Sequence, residues 1–209
     1  MPTYAAGKVV TGFSKPYVAA YTYADNAITY TNAQELARGV KVSLEPESSD
    51  ASNFYANNIV AETEGGGFTG ATLTLTVDGL FASAERFILG LQAAGEDGFS
   101  DYNSSSKAPF VGVGFIVRSM SNHNTLYTPV VLYKTMFKQP TQEAETQGDE
   151  INWQTTELEA TVMRADTSDL RWKAVGSDYD TEADALTALQ TKLGVQPPTP
   201  PGHKRTRLC

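Results

Sequence analysis

Side chains able to do chemistry are scarce in this sequence. It holds two histidines, His123 and His203, and one cysteine, Cys209. A nucleophile–base–acid relay needs a histidine near a serine or thiol, and no G-x-S-x-G elbow supplies the serine. His123 stands between Asn122 and Asn124 and reads as a turn residue. Asp97, Asp101 and Asn103 are oxygen ligands in principle, but their spacing misses the helix–loop pattern of calcium sites. Gly65-Gly66-Gly67 would cradle a phosphate only ahead of Gly-Lys-Ser/Thr, which does not follow. A flexible loop or a close approach of backbones is the simpler reading. Carboxylates are plentiful, and counting alone leaves a glycosidase-like pair open. Glu157 and Glu159, however, share a face by plain strand alternation. The expectation is a protein that is not an enzyme, with no cofactor and no metal.

Charge points the same way about partners. The net charge is −8, and Lys204, Arg205 and Arg207 sit at the C-terminal end. Without those three the chain has 13 basic against 24 acidic side chains. Nucleic-acid affinity comes chiefly from Lys and Arg, so such a body grips phosphate poorly. The single cysteine allows no disulfide within the chain. The opening MPTYAAGKVV has no apolar core of signal-peptide length, and no run approaches a membrane span. A soluble protein that folds where it is made is expected.

The elements that would position these groups are mostly strands. Residues 8–30 alternate, with Tyr17, Ala19, Tyr21 and Tyr23 on one face. Asp25-Asn26 marks a turn, which makes 17–30 a hairpin. The tyrosines read as strand packing rather than as a sugar-binding face. Val40, Val42 and Leu44 begin another strand, which Pro46 is expected to end. A long loop over 45–70 follows, carrying Phe54-Tyr55 among turn-forming residues; such a pair in water suggests a patch that something else covers. Residues 71–77, ATLTLTV, alternate cleanly, and their threonine face is either solvated or the lining of a wet channel. Residues 81–93 place Ala84, Phe87, Ile88 and Leu91 on one helical stripe, stopped by Gly95. The strand at 110–118 leaves Gly112 and Gly114 as a vacancy opposite its valines, ready to receive an aromatic or the 81–93 helix. Strands at 126–138, where Pro129 hints at an edge or bulge, and at 155–164 form a hairpin with a long acidic tip. Thr181-Glu182-Ala183-Asp184 resembles a capping box for a helix ended by Gly194. Residues 1–195 read as one domain, and 196–209 as a proline-rich basic tail.

Together these give a mainly β fold with some α: a sandwich or half-open barrel with one packed helix and a second near the C-terminus. The order of its parts carries a likeness. VSLEPE at 42–47, an acidic spacer, FYANNIV at 54–60, a Gly-rich loop, a Thr/Leu strand and then a helix follow one another. That succession resembles the major tail proteins of long-tailed bacteriophages, the phi13-like tail tube family, from about residue 8 to about residue 195. The resemblance implies homo-hexameric rings stacked into a tail tube, built in the host bacterial cytoplasm and carried in the virion. Tape-measure, tail-terminator and distal tail proteins would be its partners. DNA would pass through without specific binding, and no membrane is involved. By that likeness Phe54, Tyr55, Asn57 and Asn58 belong to a subunit interface. Glu157, Glu159 and Thr161 are the candidates for a lumen-facing surface. The other reading is a β-sandwich binding module for a carbohydrate or a host surface.

Overall fold

Residues 7–146 and 152–195 are described by a computed structural model. In chain order the elements are β1 (Val9–Ala24), β2 (Ala27–Glu35), β3 (Gly39–Ser48), β4 (Ser52–Ala56), β5 (Ile59–Glu64) and β6 (Phe68–Val77). There follow α1 (Ala82–Leu89), β7 (Val111–Ser121), β8 (Asn124–Phe137), β9 (Thr156–Met163), β10 (Lys173–Val175) and α2 (Glu182–Lys192). Among the described residues eight strands make one antiparallel sheet in the order β2-β1-β7-β8-β9-β6-β3, with β10 also on β8, and β4 and β5 pair only with each other. The β1–β2 and β7–β8 turns place Asp25-Asn26 and Asn122-His123 at positive φ, from 48° to 66°. That is the turn hand that matches strand twist, and Asn and Asp tolerate it best.

The sheet curls into the half-barrel of the two expected forms. Phe13 of β1 packs so closely on Gly39, at the start of β3, that a Cβ there would collide with the ring. Among the described residues the second sheet is the two-stranded β4–β5 hairpin. Inside the curl, Val18, Leu73, Leu75, Val113, Leu132, Leu158 and Val162 bury against Ala84 and Ile88 of α1. On the opposite face α2 lays Ala185, Leu189 and Leu193 over Ala19, Ile116 and Val131. Thr181 caps α2 as expected, its hydroxyl accepting from Asp184 N at 3.2 Å.

Three expectations need correction. Pro46 does not end β3, which runs on to Ser48 with Pro46 opposite Ala71. β3 is an edge strand, and an edge tolerates a missing N–H that a central strand would not. Accordingly 45–70 is not a long loop but the rest of β3, the β4–β5 hairpin and the start of β6. Finally, α1 stops at Gly90, not Gly95. Gly90 has φ 66°, and a Cβ on it would lie 2.5 Å from Lys107 O, so only glycine fits this turn. Pro129 lies inside β8, where the ladder to β10 runs out at the Gly176 N–H donating to Pro129 O. The 196–209 tail lies outside the described residues.

Ion pairs pin the outer segments to the sheet. The Lys134 ammonium, nearly buried, holds both Asp166 oxygens at 2.8 Å and lies 4.5 Å from the centre of the Phe110 ring. Tyr21 adds its hydroxyl to the same carboxylate at 2.9 Å. Lys134 first, then Tyr21, holds the Asp166 carboxyl below the usual range. Lys8 and then Thr128 do the same for Asp178, Arg38 for Asp78, and Arg171 brings Asp169 to about 2. A carboxyl depressed in the folded state contributes stability above its unfolded pKa, near 4, and loses it as pH falls through the folded value. The melting temperature should therefore hold steady from about pH 7 to 5 and decline below about pH 4. Asp166→Asn should cost about 0.5–1 kcal/mol at neutral pH, because the carboxylate is half-exposed and the amide oxygen can still accept from Lys134, and should flatten that acid slope. Calorimetry at stepped pH reads both; a slope unchanged in the variant would remove Asp166 from the account.

Candidate self-association surface

The β4–β5 hairpin is an arm. Its register pairs Phe54 with Glu62, Tyr55 with Val60 and Ala56 with Ile59. Asn57 and Asn58 form the two-residue turn, with φ 51° and 64°. They read as turn-makers at the tip, whatever else they touch. Side chains alternate across a strand, so Phe54 and Ile59 share one face while Tyr55 and Val60 share the other. Phe54 is 64% exposed, Tyr55 62% and Ile59 66%. An isolated two-stranded hairpin is marginal in water, and one apolar on both faces has no ground for staying bare.

The base of the arm is built more firmly than its tip. The Ser49 N–H donates to Gly67 O at 2.9 Å, and the Gly67 N–H donates to the Ser49 hydroxyl at 3.1 Å. Gly66 passes so close to Ser49 O that any Cβ would collide with it. The triple glycine is thus a close backbone approach. Just beyond it Phe68 stacks flat on Trp172, with centroids 4.2 Å apart. The arm projects from a fixed root.

A second uncovered surface lies on the outer face of β3, β6 and β9, beyond the reach of α2. Register sets three rows across it: Lys41–Thr76–Glu157, Ser43–Thr74–Glu159 and Glu45–Thr72–Thr161. The residues expected at a lumen, Glu157, Glu159 and Thr161, therefore do come together, beside the threonine face of β6. Lys138 pairs with Glu159. Hydroxyls and carboxylates dominate the rest. The sheet also ends in two edges, β2 and β3, that pair on one side only among the described residues. Unpaired edges are templates for another strand.

The remaining candidates have structural explanations. His123 is a turn residue with φ 66°. Asp97 Oδ1 accepts from its neighbour Phe99 N, and Asn103 Oδ1 from Ser105 N, each at 3.1 Å, so both shape their own loop. No group of metal-ligating side chains gathers among the described residues. An open cleft of about 930 Å³ between α1 and the β8–β9 connection is lined by Asp78, Glu85, Tyr102, Lys138, Glu157 and Glu159. Burial, then Glu85, pushes the Tyr102 hydroxyl up to about 12, so it stays protonated. The cleft holds neither histidine nor an activated nucleophile. No described helix is long and apolar enough to cross a membrane.

Sequence reasoning missed Ile59 and Val60 as parts of the apolar arm. The signal was there: a two-residue Asn-Asn between apolar pairs is a hairpin turn. No protein-family model matches the chain, and no curated protein matches it.

Proposed function

We propose that this chain is a structural subunit that assembles with copies of itself into stacked hexameric rings, forming the tail tube of a bacteriophage virion and the conduit for its DNA. The observation that carries the reading is the arm: a rooted, two-faced apolar hairpin that no described residue of its own body covers. Two half-paired sheet edges on the same molecule supply further places for a neighbour. Head-to-tail contacts of such parts close into rings, and a second interface stacks them. The number six, the virion location and the tape-measure, terminator and distal tail partners rest on the family resemblance. A glycan-binding role finds less support, because the tyrosines that would serve it are engaged internally. Tyr17 accepts from Gln190, Tyr21 binds Asp166 and Tyr23 donates to Asn26 Oδ1.

In this reading the Thr/Glu face lines the bore. Duplex DNA carries a charge about every 1.7 Å along its axis, and a wall of hydroxyls and carboxylates, with Lys41 at its margin and Lys138 held by Glu159, gives phosphate little to hold. Sedimentation over a concentration series tests the assembly: growth from subunit to large species supports it, whereas a fixed small particle that binds glycans refutes it. The wall has its own test. Parent assemblies should not retain duplex DNA at about 50 mM salt, where a multi-lysine contact would be strong. Assemblies of Thr72→Lys, Thr74→Lys and Thr76→Lys combined should retain it, and release it as salt rises. Tight, salt-sensitive retention by the parent would contradict the assignment of that face.

A further inference from the structure

Resting on the self-assembly reading, we infer that the arm of one copy seats Phe54 in the apolar groove between β10 and α2 of a neighbouring copy, with Glu62 meeting Lys192 there. The groove measures about 230 Å³ and is lined by Pro129, Val131, Ala174, Tyr179, Ala188 and Leu189, with Lys192 on its wall. An apolar cavity of about 150 Å³ already holds benzene, so a phenyl ring fits. Among the described residues β10 pairs with β8 alone, which leaves the outer side of the groove a strand edge rather than a wall. Trp172 O and Gly176 N bond to β8, so by alternation the backbone of Lys173 and Val175 faces away from it. A hairpin arriving there finds main-chain partners as well as a socket.

Charge selects the occupant. The body is acidic, and most of its acidic surface would repel an arm carrying Asp50, Glu62 and Glu64. Lys192 forms no ion pair among the described residues; its ammonium stands 5.5 Å from the centre of the Tyr133 ring. On the arm the register shifts at Ala61, a bulge that sets Glu62 opposite Phe54, so ring and carboxylate stand side by side. A socket with a cation on its wall and a ring with a carboxylate beside it are complementary as they stand.

Two measurements on the full chain test this, with Cys209→Ser as the parent. The first is a charge exchange. Lys192→Glu and Glu62→Lys should each raise the concentration needed for assembly about tenfold, and the two together should return it to within about threefold of the parent. The second puts a photo-reactive benzoyl-phenylalanine at position 54, which keeps an aromatic ring there. Irradiated assemblies should cross-link position 54 to the peptide bearing Ala188 and Lys192 of another copy. If assemblies form normally but the double exchange fails to rescue, or the cross-link falls elsewhere or within one chain, this seat is wrong and self-assembly stands. If the parent never assembles, the self-assembly reading falls and takes the seat with it.

Discussion

Replacing Phe54 and Tyr55 together by alanine is expected to abolish assembly while leaving the folded subunit intact. Both rings are exposed in the single subunit, so truncating them removes few contacts within it. Exposed substitutions usually change stability by about 0.5 kcal/mol or less, or about 2 °C in a domain of this size. In an interface the same rings would be central aromatic anchors, each contributing about 2 kcal/mol or more. Losing two raises the concentration needed for assembly by about a thousandfold, taking each factor of ten as about 1.4 kcal/mol. Sedimentation read beside thermal melting separates the two effects. Normal assembly by the doubly substituted protein would remove the arm from the interface; a collapse in melting temperature would make it part of the fold instead.

The second large effect concerns the glycines of β7. A Cβ on Gly112 would run into the Tyr30 ring, with Tyr30 Cζ at 2.9 Å. One on Gly114 would lie 2.7 Å from Leu189 Cδ1 and 2.9 Å from Leu193 Cδ1. Neither neighbour has room to give. The buried Tyr30 hydroxyl is tied to Tyr133 O at 2.8 Å, and both leucines are fully buried under α2. Overpacking of this kind costs about 1–3 kcal/mol, and a branched side chain belongs at the upper end. Gly112→Val and Gly114→Val should each lower the melting temperature by about 6–12 °C. Gly70→Ala is the control: its new Cβ would sit 3.6 Å from Val162 O, an ordinary contact, so it should melt within about 2 °C of the parent. Equal melting of all three variants would mean that α2 and Tyr30 do not rest on β7 as described.

Those same glycines show where the sequence is legible. The vacancy opposite Val111 and Val113 could be read from alternation alone; it receives the expected aromatic, the Tyr30 ring at Gly112, but at Gly114 it receives α2 rather than the 81–93 helix, which packs on the valine face. ATLTLTV and the Thr181 cap were equally readable, because a two-residue period and a side chain that accepts its own helix N–H are local facts. Pro46 misled because its meaning depends on which strand pairs beside it. At an edge a missing N–H is tolerated, and nothing near residue 46 declares an edge. Gly90 and Gly95 look alike in sequence, and the choice between them was made by Lys107, well downstream. The candidate site divides in the same manner. Phe54 and Tyr55 drew notice as aromatics among turn residues, and Glu157, Glu159 and Thr161 shared a face by alternation. That Thr72, Thr74 and Thr76 complete the same surface follows from the β6–β9 register, which no single strand encodes. The β10–α2 groove had no sequence signature, since a three-residue strand has too few side chains to show a period.

Electron microscopy of the purified protein at high concentration tests the central claim most directly. The account predicts rings of six subunits stacked into tubes, with an open bore and with the β4–β5 arm of each copy in density against another copy. A dispersed single subunit at every concentration, its arm touching nothing, would contradict it.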